Sequence, residues 1–187
     1  MYSLNNKTLQ KLNIRKRPDY KGRCSLVFKE DNNMVKMLTR DRYKIEWYNY
    51  IKLGKLENVY SNIQDGPFTE FPIYEIYLPE LSPLLPSEIQ DLKRNILIPL
   101  ANVERRGRKK TFIAHQMDVF NFVKNNQNIP NYLDFINFIQ GKEKEVLIDL
   151  NSSNIMVQDE KYVLTDPFFP IELLKVFLPE YYISCTQ

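Results

Sequence analysis

The stretch 146–169, VLIDLNSSNIMVQDEKYVLTDPFF, limits what this chain can fold into more than any other part of it. Two short apolar runs, Ile155-Met156-Val157 and Tyr162-Val163-Leu164-Thr165, flank the polar break 158–161. Runs rich in β-branched and aromatic residues, split by turn formers, predict a β-hairpin. Asp149 and Asn154 precede the hairpin and Asp166 stands at its exit. The strands then act as a ruler between two carboxylates and one amide. These are oxygen donors, the kind that a hard cation such as magnesium takes. Taken alone, 149–154 also reads as a polar turn that caps a strand, because Asn, Ser and Asp are turn formers.

A chain of 187 residues can bury a core as one domain or as two small lobes. Its 43% hydrophobic and 26% charged residues are those of a soluble globular protein. No apolar run is long enough to span a membrane, and the N-terminal segment lacks the apolar core of a signal peptide. Cytoplasmic localisation is the resulting expectation. Cys24 and Cys185 lie far apart without metal-ligand spacing and are expected as reduced thiols. The single histidine, His115, excludes a multi-histidine metal site and is expected as a satisfied structural residue. A net charge of +3 does not by itself indicate a nucleic-acid partner.

Along the chain, 1–17 is a polar, basic arm or short helix, and 23–29 and 34–38 read as strands joined by the turn 30–33. The period changes to helical over 40–55, with Tyr43, Trp47, Tyr50 and Ile51 on one face and Gly54 as a stop. Strands are predicted at 59–63 and 71–78, then a proline-rich connector at 78–86. Ser87 is expected to cap a helix over 87–102, with Pro99 straining its last turn. A basic loop at 104–110, helices at 112–125 and 132–140, and a helical tail at 170–182 complete the reading. Strands followed by helices indicate an α+β fold in two lobes, 1–80 and 81–187, with a site in the cleft between them.

The pattern Asp149-Leu150-Asn151-Ser152-Ser153-Asn154-Ile155-Met156-Val157, followed by Leu164-Thr165-Asp166-Pro167, resembles the catalytic loop and metal-binding motif of protein kinases. It is most similar to the early serine/threonine kinases of short-tailed bacteriophages. Upstream, Gly22-Arg23-Cys24-Ser25-Leu26-Val27-Phe28 resembles a worn-down nucleotide-covering loop, and Val35-Lys36-Met37 resembles the strand with the phosphate-binding lysine. Residues 76–81 resemble the hinge that meets adenine.

The resemblance implies a compact bilobal protein-kinase-like fold: a small antiparallel N-terminal sheet with one helix, and a reduced, mainly helical C-terminal lobe with a catalytic hairpin. It implies ATP and magnesium as cofactors. Lys36 would hold the α- and β-phosphates, Glu46 would hold Lys36, and Asp149 would orient the acceptor hydroxyl. Asn154 and Asp166 would bind magnesium, and Gly22, Ser25, Val27, Ile76, Leu78 and Met156 would line the nucleotide. The implied activity is ATP-dependent phosphorylation of serine or threonine in host proteins, and in the kinase itself, in the host cytoplasm.

The sequence also departs from the family pattern. Gly22 stands alone where three glycines are usual, and Ile148 replaces the arginine before the catalytic aspartate. Asn151 stands in place of a lysine, and Pro167 replaces a Phe-Gly pair. The segment from Asp166 to Gln187 is too short for an ordinary activation segment.

These departures keep a second reading in view, a degenerate kinase fold that binds and inhibits or redirects a host protein. A third is a small-molecule phosphotransferase of the aminoglycoside-kinase type, which shares the Asp-x-x-x-x-Asn loop. Singly, Lys36 reads as a solvent-facing strand lysine and Glu46 as part of a solvated helix face, with Glu57 or Glu75 as substitutes. The segment 105–110 reads as a solvated loop, or else as a site for an anionic partner, nucleic acid being the less favoured one. No membrane partner is expected.

Overall fold

Two units divide the chain at a single crossing, Met1–Glu80 and Leu81–Gln187, and both mix helices with antiparallel strands. The structure, a computed structural model, describes residues 4–64, 66–107, 112–177 and 179. The protein is α+β, with a five-stranded antiparallel sheet as its largest sheet among the described residues.

The first unit opens with helix α1 (Asn6–Lys11). Asn5 caps it, accepting from the Lys7 and Thr8 amides. Strands β1 (Tyr20–Lys21), β2 (Ser25–Lys29) and β3 (Met34–Thr39) follow, then helix α2 (Arg42–Tyr50), β4 (Lys55–Tyr60) and β5 (Ile73–Pro79). The sheet order is β1-β2-β3-β5-β4, which makes β3 the central strand. Asn32 and Asn33, both left-handed, close the β2–β3 turn, the conformation that Asn tolerates best after Gly. Ser25 pairs with Thr39, Val27 with Met37, and Phe28 with Lys36. Across β5, Lys36 faces Tyr77, Met37 faces Ile76 and Val35 faces Leu78.

Side chains alternate along a strand, so this register sorts them onto two faces. Leu26, Phe28, Leu38 and Ile73 fall on one face and pack into a core with Leu4 and Leu9 of the α1 region. Ser25, Val27, Val35, Met37, Thr39, Ile76 and Leu78 fall on the other. Helix α2 serves this second face: its Lys44 Nζ donates to Ser25 Oγ at 3.1 Å. Asp41 caps α2 by accepting from the Lys44 amide. Trp47 and Tyr43 are among the most deeply buried side chains, whereas Tyr50 is exposed and stacks on Trp47. The buried face of α2 thus keeps Tyr43 and Trp47 of the expected one and takes in Lys44, Ile45 and Tyr48, while Tyr50 falls outside it.

Two boundaries also differ from expectation. Helix α2 stops at Tyr50, with Lys52 left-handed, and β4 begins at Lys55 rather than at 59. Gly54 does not end the helix. It lets β4 enter beside β5, where a Cβ would stand 2.8 Å from Ile76 Cδ1.

The second unit begins with β6 (Ser82–Pro83) and α3 (Pro86–Leu92). It continues through a π turn (Lys93–Leu97), α4 (Ile98–Gly107), α5 (Phe112–Lys124) and α6 (Tyr132–Ile139). Pro86, not Ser87, opens α3: proline's fixed φ suits the first helical position, and Glu88 accepts from the Leu85 amide at 2.6 Å. Pro99 lacks the amide that would bond the Asn95 carbonyl. The helix responds with the π turn before it, and the Asn126 side-chain amide donates to the Asn95 carbonyl at 3.1 Å. Residues 104–107, expected in a loop, extend α4, and Arg108–Lys110 lie outside the described residues.

Strands β7 (Val146–Ile148), β8 (Ile155–Gln158), β9 (Lys161–Leu164) and β10 (Phe168–Pro170) lead to α7 (Ile171–Phe177). The β8–β9 hairpin pairs through β8 with β6, and β7 pairs with β10. Phe120, Phe135, Ile139, Leu164 and Leu173 form the buried interior of this unit, and the Phe168 ring stacks on Phe135 and Phe138. The rest of the expected C-terminal helix, and Cys185, lie outside the described residues. Cys24 is buried. No helix among the described residues is long and apolar enough to cross a membrane.

Candidate functional site

The loop between β7 and β8 gathers the expected acidic and amide groups. Ile148 pairs with Phe168, and the Asp149 amide donates to the Pro167 carbonyl at 2.8 Å. That bond ties the start of the loop to the residue after Asp166. At the other end, Ile155 pairs with Leu164 and the Thr165 amide donates to the Asn154 carbonyl at 2.9 Å. Asp149, Asn154 and Asp166 are thus held by backbone bonds on both sides of the hairpin and belong to one neighbourhood of the second unit.

Side-chain bonds orient two of these groups. Asn154 is buried, and its Nδ2 donates to the Asp149 carbonyl at 2.8 Å. A carbonyl can only accept, so this bond fixes which end of the amide is nitrogen and leaves Oδ1 as the other end. Asn151 braces the loop. It caps the short 3-10 turn Ser152–Asn154 by accepting from the Ser153 amide at 2.9 Å, and its Nδ2 donates to Asp149 Oδ1 at 3.0 Å. The Asp149 carboxylate is exposed on this braced loop, and Asp166 is half-buried. Asn151, which stands in place of a lysine in the family pattern, thus acts as a brace, a role the sequence reading misses. The signal for it was an Asn two residues ahead of a Ser, the spacing of an Asx turn.

The donor set fits magnesium. Magnesium keeps several waters and takes one or two carboxylates alongside phosphate oxygens. No group of three or more His, Cys, Asp or Glu side chains is placed to hold a metal ion among the described residues. A carboxylate from Asp166 and an amide oxygen from Asn154 are instead the kind of sparse, all-oxygen set this cation accepts.

The first unit does not assemble the expected lysine–glutamate pair. Lys36 projects from the sheet face that α1 covers, and its ammonium lies over the Phe28 ring, 5.5 Å from the centroid. Helix α2 lies on the opposite face, and Glu46 on it is exposed. No ion pair joins the two among the described residues. The substitutes are engaged elsewhere. Glu57 pairs with Lys55 at 2.9 Å, and the buried Glu75 accepts from the Tyr60 hydroxyl. Burial, and then that bond, push the Tyr60 hydroxyl up to about 12, and burial followed by the nearby Glu75 charge raises Tyr77 as well.

Of the expected nucleotide-lining residues, Ser25, Val27, Ile76 and Leu78 share the α2 face of the sheet. Met156 lies on β8 of the second unit, opposite Pro83 and Val163. Gly22 sits in the β1–β2 turn, where its amide donates to the Ser25 carbonyl. A Cβ there would come no closer than 3.7 Å to Ser25, so this turn does not require glycine. His115, expected as satisfied, has a buried Nδ1 without a hydrogen-bond partner among the described residues.

No protein-family description, curated protein or solved structure matches the chain.

Proposed function

We propose that this chain is a protein-kinase-like phosphotransferase that moves the γ-phosphoryl group of magnesium-ATP to a serine or threonine hydroxyl, on a protein or on itself. The observation that carries the reading is the locked amide of Asn154. Its nitrogen bonds the Asp149 backbone, so its oxygen end is presented on the same braced loop as the Asp149 carboxylate. An aspartate and an asparagine five residues apart, then an aspartate past a hairpin, match the acceptor-orienting and metal-holding roles of kinase chemistry.

In the proposed reaction Asp149 accepts a hydrogen bond from the acceptor hydroxyl and then its proton. The hydroxyl oxygen bonds to the γ-phosphorus as the bridging P–O bond to the β-phosphate breaks, and ADP leaves. Magnesium, when bound, neutralises charge on the phosphate oxygens, and Asn154 and Asp166 are the residues that would hold it. The finer fold belongs to the same proposal: a bilobal kinase-like arrangement with Met1–Glu80 as the N-terminal lobe. Its support is the small antiparallel sheet with α2 inserted between β3 and β4.

Two observations favour a second reading, a binding module that inhibits or redirects a host protein: Lys36 and Glu46 do not pair, and Gly22 is not sterically required.

Two variants separate the readings. Asp149→Ala should lose transfer of labelled phosphate by at least about a hundredfold, the usual scale for a positioned acid–base group. It should still gain thermal stability from magnesium-ATP, whereas Asp166→Asn should lose that gain. Transfer by Asp149→Ala at the wild-type rate overturns the phosphotransferase reading, and so does a wild-type chain whose melting temperature ignores magnesium-ATP.

A further inference from the structure

We infer that Lys44 of α2, and not Lys36 of β3, is the cation that takes the nucleotide's α- and β-phosphates. The inference rests on the kinase-like reading above and assigns within it a group that the sequence pattern places elsewhere.

The argument begins with strand parity. Ser25, Val27, Ile76 and Leu78 share one face of the five-stranded sheet with Val35, Met37 and Thr39. Lys36 is an odd number of residues from each of its β3 neighbours on that face and so points to the other side. There its ammonium lies over the ring of Phe28, itself a member of the core that Leu4 and Leu9 close. Bringing Lys36 to the nucleotide face would require β3 to slip by one residue. That slip would exchange Leu38 for Thr39 in the core and turn every β3 side chain over.

Lys44 already stands on the nucleotide face. It is 7% exposed, and its Nζ reaches Ser25 Oγ at 3.1 Å while Ser25 Oγ bonds Thr39 Oγ1 at 2.8 Å. The helix beneath it is fixed by the Asp41 cap, which accepts from the Lys44 amide itself. Its side chain is thus held at both ends, which limits the rotamer entropy lost on binding a ligand. The other buried cation of this unit's described residues, Arg40, directs its guanidinium to the Phe68 and Phe71 carbonyls.

The face is also graded in the right sense. Along β3 it runs from Val35 and Met37, paired with Leu78 and Ile76, to Thr39, paired with Ser25. From Val35 to Thr39 is roughly 13 Å at the usual strand rise. Apolar surface at one end and an ammonium at the other suit a molecule with an aromatic base at one end and phosphates at the other. An ammonium on a flexible stem serves phosphate as a point charge, without the fixed fork of arginine.

The test is calorimetric binding of magnesium-ATP and of adenosine to the full chain and to Lys44→Met and Lys36→Met. Lys44→Met should weaken magnesium-ATP about tenfold or more, a loss of about 1.4 kcal/mol, and leave adenosine unchanged. A merely structural role for Lys44 would weaken both. Lys36→Met should bind both as the wild type does. Loss of magnesium-ATP in Lys36→Met with none in Lys44→Met overturns the inference and leaves the kinase-like reading standing. A wild-type chain that binds no magnesium-ATP overturns both. If Lys44→Met fails to fold, as judged by circular dichroism, Ser25→Ala replaces it. Removing the hydroxyl that Lys44 Nζ donates to should weaken magnesium-ATP several-fold, and an unchanged affinity overturns the inference.

Discussion

Gly54 is held by its neighbours, not by unusual backbone angles. A Cβ at this position would lie 2.8 Å from Ile76 Cδ1 and 3.1 Å from the Tyr77 carbonyl, and the latter is backbone that cannot swing away. Gly54→Ala should therefore cost about 1–3 kcal/mol, the scale of overpacking a close-packed core, read by urea denaturation. Replacing Ile76 by valine removes the Cδ1 atom. The double variant should regain part of the loss, with a coupling of about 0.5 kcal/mol or more. An additive double variant would show that the close approach is not what makes Gly54 necessary. The same scale explains the misplaced lysine. Met34 to Leu38 is apolar on both sides of Lys36, because β3 is central, with one face buried and the other at least partly covered. Where alternation is lost, periodicity cannot say which way a side chain points. The parity becomes visible through the small polar pair Ser25 and Thr39, which marks the face that α2 serves.

At the scale of elements, the α3–α4 segment shows a proline accommodated without a break. Pro99 leaves the Asn95 carbonyl without its helical donor, the Ile98 amide reaches back to the Lys93 carbonyl, and Asn126 supplies the missing donor. Asn126→Ala should destabilise the chain by about 1 kcal/mol, the net worth of one such bond. Restoring the amide by Pro99→Ala should make Asn126→Ala nearly silent. Thermal denaturation of the four chains in this cycle checks it, and equal costs of Asn126→Ala in both backgrounds would refute the account. The proline's strain was legible in the sequence, but its remedy was not, since Asn126 is distant along the chain and only packing brings it near. The hairpin 155–164 was legible because its turn and both strands are local. Its neighbour β6, two residues inside a proline-rich connector, was not, because its pairing comes from the partner strand β8 and not from its own composition.

At the scale of the whole molecule, the chain crosses from one unit to the other once, between Glu80 and Leu81, and each sheet among the described residues lies within one unit. Two hydrophobic interiors follow from that topology. One is built on Leu26, Phe28, Leu38 and Ile73, the other on Phe120, Phe135, Ile139 and Leu164. Among the described residues no strand pairing joins the first interior to the second, so cooperativity need not extend over the full chain. Leu38→Ala empties a fully buried site in the first interior and should cost about 2–5 kcal/mol there. Native-state hydrogen exchange should then show amides of β2, β3 and β5 losing protection by that amount. Amides of α5, α6 and β9 should keep most of theirs. The complementary variant, Phe135→Ala, should reverse the pattern. Equal loss of protection in both units from either substitution would mean that the two interiors unfold as one.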